Sequence, residues 1–116
     1  MNSVQFAELV MLQFPALRDD ILEWAGHIHL QVMELELLLE KAAGCGEWDT
    51  VEACINLAHR ALCEGDEELR NAICVSLLEE LPREGVLSGE IVRRLTPELR
   101  GARADLLAYL HNLHEQ

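Results

Sequence analysis

DTVEACINLAHRALCEGDEELRNAICVSLLEEL, residues 49–81, decides how this chain folds. Asp49 followed by Glu52 has the spacing of a capping box, so the stretch predicts a helix starting at Asp49. Val51, Cys54, Ile55, Ala58, Ala61 and Leu62 recur at three- and four-residue steps along it, and Gly65 stops it. Asp66 then offers a second N-cap, with Glu67 and Glu68 in the first turn, where the helix dipole favours acids. Leu69, Ala72, Ile73, Val75, Leu77, Leu78 and Leu81 continue the apolar stripe, and Pro82 closes it. A connection this short predicts an antiparallel helical hairpin, because the two helices have no room to do anything but pack on each other.

The N-terminal side predicts two more helices. Ser3 is placed to cap a short one through about Leu12, and Phe14-Pro15 interrupts it, since a residue before proline is pushed out of the helical region. Pro15 suits the first turn of a second helix running to about Ala43. Its stripe is Leu17, Ile21, Trp24, Ile28, Val32, Leu35, Leu39 and Ala42, and Leu22, Leu30, Met33, Leu37 and Leu38 widen the face. Such a helix is expected to be central and covered on two sides, with Gly26 marking a bend or a close crossing. On the C-terminal side, Ser88 predicts a short helix through Leu95, and Thr96-Pro97 a cap and first turn for the last helix. The expected fold class is all-α: a single-domain bundle of five to six helices over residues 1–116, with a central long helix and the hairpin.

Composition narrows the function. The chain has 116 residues, half of them apolar but only 4% aromatic, so its core must be filled by aliphatic side chains. Its formal net charge is −12, and the imbalance is local: residues 1–84 hold 17 Asp/Glu against 5 Lys/Arg, whereas residues 85–116 hold 4 of each. The acids alternate with apolar residues at helical spacing, which places them on the solvated side of folded helices. Nucleic-acid binding needs a basic stripe, and this chain has the opposite charge. Anionic membrane surfaces are repelled for the same reason, and cationic protein partners are favoured through long-range steering. Solubility alone is the competing explanation of an acidic balance. The N-terminus lacks a signal peptide's basic region, and no apolar run approaches the roughly 18 residues of a membrane span, so a cytoplasmic location is expected.

Few residues of the chain are spaced for chemistry. Cys45, Cys54, Cys63 and Cys74 match no zinc or thioredoxin-like spacing, and Cys54 and Cys74 lie in apolar stretches where a thiol serves as a small core residue. His27 and His29 diverge on a helix, His111 and His114 sit in a last turn, and no His-Glu-x-x-His occurs, so neither metal nor cofactor is expected. Ser76, inside an apolar helix, is expected to bond a backbone carbonyl. His29, Gln31 and Asn71 are candidates for a buried polar network that fixes how the long helix crosses the hairpin. Glu36 and Glu40 share a helical face and repel each other when free, a strain that a cationic partner would relieve. Arg93, Arg94, Arg100 and Arg103 gather near the last helix junction, where they are expected to pair with the acidic helices of the same molecule. Trp48, at a helix start, is open to two roles: stapling the chain or anchoring a partner.

The phrase from Gly65 to Ile73, GDEELRNAI, resembles the start of the second helix in HEAT-type repeats; one hairpin is below the roughly three repeats a solenoid needs, so this bears on local packing only. Glu23-Trp24 with His29-Leu30-Gln31, and Glu64-Gly65-Asp66 with Leu69-Arg70-Asn71-Ala72 through Val75-Ser76-Leu77-Leu78-Glu79, resemble a family of short, acidic, all-helical bacterial proteins of unknown function. That resemblance covers residues 15–82 and implies fold and bacterial origin more than activity. The expectation is a bacterial immunity protein, a non-enzymatic inhibitor that binds a cognate toxin with a basic surface through Asp19, Asp20, Glu23, Glu34, Glu36 and Glu40 on the long helix, with Glu67 and Glu68 next. A helical adaptor or homo-oligomeric scaffold is the alternative, and it expects exposed leucines such as Leu37, Leu38 or Leu87. A small enzyme would require a pocket gathering His29, Glu23 and a cysteine.

Overall fold

The computed structural model describes residues 1–115, and among them no strand occurs. Seven α-helices follow one another: α1 (Ser3–Gln13), α2 (Arg18–Glu23), α3 (Ile28–Gly44), α4 (Trp48–Glu64), α5 (Glu67–Ile73), α6 (Gly85–Arg94) and α7 (Pro97–Glu115). A 3₁₀ turn, Pro15–Leu17, leads into α2, and a π-helical segment, Cys74–Leu78, extends α5. The all-helical class agrees with the sequence, but the helix count is one above the expected range.

The extra helix comes from Gly26. Its φ is +83°, in the left-handed region, so the chain leaves the helix after Glu23 and restarts at Ile28. The apolar stripe continues across this break because Ile21 and Ile28 both point into the core. Periodicity therefore passes through a point where the backbone does not.

α3 is central: it packs against α1, α2, α4, α5, α6 and the π segment. Val32, Leu35 and Leu39 are fully buried along it, meeting a core built from Phe6 and Val10 of α1, Val51, Cys54, Ala58 and Ala61 of α4, and Leu69, Ile73 and Leu77 beyond. Burying a Leu, Ile or Val side chain contributes about 1.5–3 kcal/mol, so this aliphatic interior dominates the favourable side of folding. α4 and α5 pack directly on each other across Gly65-Asp66, as the short connection requires. Asp66 caps α5, its carboxylate accepting from the Leu69 N–H at 3.0 Å.

Other caps differ from expectation. Asn2, not Ser3, caps α1: its side chain accepts from Gln5 N–H, and the Gln5 side chain accepts in turn from Asn2 N–H, each at 2.9 Å. α4 begins one residue early, at Trp48, with no side-chain cap on Glu47, so the Asp49–Glu52 box does not form. α6 begins at Gly85, and Ser88 is buried inside it, donating to the Pro82 carbonyl at 2.7 Å. Thr96 does cap α7, accepting from Leu99 N–H at 3.3 Å. Trp24, expected in the core stripe, is half-buried and donates its indole N–H to Glu34 at 3.3 Å. No helix is long and apolar enough to cross a membrane among the described residues.

Candidate binding surface

The eight acids singled out from sequence separate into two groups. Asp19, Asp20 and Glu23 on α2 are exposed, as are Glu67 and Glu68 in the first turn of α5. Asp19 and Asp20 also occupy a first helical turn, where they complement the positive end of the α2 dipole. Glu34 and Glu40 are only half-exposed, Glu34 being occupied by the Trp24 indole.

Glu36 corrects the expectation outright. It is 2% exposed and so lies inside the core, not on a partner-facing surface. Burial, then a hydrogen bond to Glu40 and the negative charges of Glu40 and Glu80, push its carboxyl up to about 9. It is therefore uncharged at neutral pH, and the Glu36–Glu40 strain is relieved by a proton and not by a foreign cation. One oxygen, Oε1, is shut off from solvent without a hydrogen-bond partner.

The arginines do not neutralise the exposed acids. Arg60 pairs with Glu64 at 3.1 Å, and Arg93 and Arg94 both pair with Glu90, at 3.0 and 2.7 Å, each bridge lying within one helix. The hydrogen bond from Arg94, then the charge of Arg93, holds the Glu90 carboxyl below the ordinary carboxylate range. Arg94 also stacks on Trp48, 3.9 Å from its ring centroid, so Trp48 staples α4 to α6. Arg100 donates to the carbonyls of Arg93 and Leu95, and Arg103 to that of Pro82. Among the described residues, no ion pair reaches Asp19, Asp20, Glu23, Glu67 or Glu68.

Beside these acids lies a groove of about 520 Å³. Its walls come from α1, from the α2–α3 junction and from the start of α5, with Val4, Ala7, Met11, Ile21, Leu22 and Ala25 as apolar lining. Glu8, Asp66 and Glu68 add carboxylates, and no Lys, Arg or His lines it. Val4 is 68% exposed and Leu22 49%. Sequence reasoning missed this groove because residues near positions 4, 22 and 68 are brought together only by the tertiary fold. The one sequence hint was Leu22, apolar yet off the main stripe of its helix.

The polar network expected of His29, Gln31 and Asn71 does not form. Asn71 and His29 are exposed, and Gln31 alone is buried, its amide donating to the Ile21 carbonyl at 2.9 Å. His29 Nδ1 bonds instead to Ser76 Oγ at 2.8 Å, so Ser76 pairs with a side chain and not with a backbone carbonyl.

Other reactive groups do not converge. His59 bonds Thr96 Oγ1 at 2.9 Å and lies 3.7 Å from Glu98, tying α4 to the start of α7. Cys63 Sγ lies 3.9 and 3.8 Å from the two ring nitrogens of His59, one helical turn away, so neither nitrogen is singled out as its partner. Burial pushes the Cys54 thiol up to about 12 and raises that of Cys74, so both stay protonated as packing groups. Neither His29 nor Glu23 nor any cysteine lines the groove. No group of three or more His, Cys, Asp or Glu among the described residues is arranged to hold a metal ion.

A family model described as a domain of unknown function, DUF7674, matches residues 7–112. The chain belongs to the DUF7674 family. The match takes in α2 to α6, most of α1 and most of α7, a wider span than the resemblance over residues 15–82. No curated protein and no solved structure matches the chain.

Proposed function

We propose that this DUF7674 protein is a bacterial immunity protein, a non-catalytic cytoplasmic inhibitor that neutralises a cognate toxin bearing a basic surface. The observation that carries this reading is the set of exposed carboxylates on α2 and at the start of α5 that form no ion pair among the described residues. Asp19, Asp20, Glu67 and Glu68 favour the dipoles of their own helices, but crowding these charges without a counter-ion adds self-repulsion, a modest cost. A cationic partner would recover that cost, and the same field would speed its encounter.

The test is co-purification with the product of the adjacent gene. A tight complex at low salt that weakens steeply as salt rises supports the reading, since exposed charge pairs are screened over a Debye length of roughly 8–10 Å at moderate ionic strength. Absence of a complex at moderate salt sinks it. The adaptor alternative is favoured by the apolar lining of the groove and by Leu37, which is half-exposed on α3. It predicts association that is nearly indifferent to salt.

A further inference from the structure

We infer that the groove between α1, the α2–α3 junction and the start of α5 is the docking site for one amphipathic helical segment of the partner protein, apolar on one face and flanked by lysine or arginine. This deepens the immunity reading and rests on it for the partner's identity, though not for the chemistry of the site.

Three observations converge. The groove is lined by Val4, Ala7, Met11, Ile21, Leu22 and Ala25, and holds about 520 Å³. Val4 and Leu22 expose more of their surface than the core residues beside them, so covering them removes apolar area from water. Its carboxylates, Glu8, Asp66 and Glu68, are exposed, and no cation lines the groove to answer them.

Charge complementarity selects the occupant. A purely apolar segment would bury the apolar lining but leave Glu8 and Glu68 partly desolvated and unpaired, a cost that grows with burial. A second copy of this chain carries the same net charge of −12, so its approach to an acidic rim is opposed overall. A helix that places leucines at i, i+3, i+4 and i+7 and lysines at its edges satisfies both parts, in the helix-in-groove mode of recognition.

The probe is a synthetic, ~14-residue amphipathic peptide with that leucine spacing and flanking lysines, titrated against the full-length chain by calorimetry. Peptides with the lysines replaced by glutamine or glutamate serve as comparisons. The lysine peptide is expected to bind about tenfold more tightly than the glutamine peptide, and the glutamate peptide not detectably. Two protein variants locate the site. Glu8→Lys with Glu68→Lys should weaken binding about tenfold, whereas Glu47→Lys with Glu52→Lys, an equal charge change at the start of α4 and outside the groove, should change it less than about threefold. Ala25→Trp, at an exposed position of the wall, should block it while leaving the circular dichroism spectrum unchanged.

Equal binding of lysine and glutamine peptides, equal loss in both charge-reversal pairs, or an unaffected Ala25→Trp would each overturn the inference. So would a dimer of the chain that Ala25→Trp dissolves, because the occupant would then be a second copy. The adjacent-gene product separates the two proposals. A wild-type complex that survives Ala25→Trp removes the groove as the site while keeping the immunity reading. No wild-type complex, with the peptide result intact, removes the immunity reading and keeps the groove.

Discussion

The side-chain amide of Gln31 donates to the Ile21 carbonyl at 2.9 Å across the break between α2 and α3, in the buried layer beneath the groove. Ile21 lies in the last turn of α2, where carbonyls have no partner within their own helix. Gln31 supplies that partner from ten residues away and so fixes the angle at which α2 meets α3.

Replacing Gln31 with leucine keeps roughly the bulk but leaves the Ile21 carbonyl buried and unpaired. The expected loss is about 1–3 kcal/mol in urea denaturation, the usual cost of an unsatisfied buried polar group. A Gln31→Leu variant as stable as the parent would show that solvent reaches the carbonyl and that the amide bond does not hold the junction.

Gly26 makes the same junction possible. A side chain there would meet nothing within 4 Å, so Gly26→Ala tests the backbone alone. With φ at +83°, alanine is expected to cost about 1–2 kcal/mol. Gly65→Ala is the contrasting case: its φ is an ordinary −74°, but the added Cβ would collide with the Ala61 carbonyl oxygen and press on Leu69. Gly65→Ala is therefore expected to destabilise more than Gly26→Ala, and thermal unfolding of the two side by side checks the order.

Arg94 joins two interactions, the 3.9 Å stack on Trp48 and the 2.7 Å bridge to Glu90. Lysine would keep the charge but not the planar group that covers the indole. Arg94→Lys is expected to cost about 0.5–2 kcal/mol, the range of a partly desolvated cation–π contact. A Trp24→Phe background isolates Trp48 fluorescence, which should change on Arg94→Lys; an unchanged spectrum would mean the stack is not populated in solution.

How much of this was legible in the sequence depends on the range over which each feature is determined. The α4–α5 hairpin and the Asp66 and Thr96 caps were legible, because each is set by residues within one or two turns. The break at Gly26 was not, since Ile21 and Ile28 both face the core and the apolar period runs on across it. The exposure of Asp19, Asp20, Glu23, Glu67 and Glu68 followed from helical spacing. The groove did not, because Val4, Leu22 and Glu68 meet only through tertiary packing. Glu36 shows the limit most clearly: spacing placed it beside Glu40, but whether that face looked outward depended on Glu80 and the π segment closing over α3.

That burial gives stability a pH dependence whose sign can be worked out. In the unfolded chain Glu36 ionises near its ordinary value of 4.5, whereas in the folded chain burial, Glu40 and Glu80 hold the proton to about 9. Between those values the folded state binds the extra proton, so stability falls as pH rises through the window and levels off above about 9. Relief of general acidic repulsion acts in the same direction, so the wild-type curve alone does not isolate Glu36. Glu36→Gln does: it keeps the shape and a hydrogen-bond donor toward Glu40 but cannot ionise in either state. The variant should be more stable than the parent at pH 8 by upwards of ~1 kcal/mol, with the advantage shrinking as pH falls toward the ordinary carboxylate range. Unfolding temperatures of both proteins, measured from pH 5 to 9, give the difference directly. Parallel curves would place Glu36 in contact with water, and would return it to the exposed acids from which its burial now separates it.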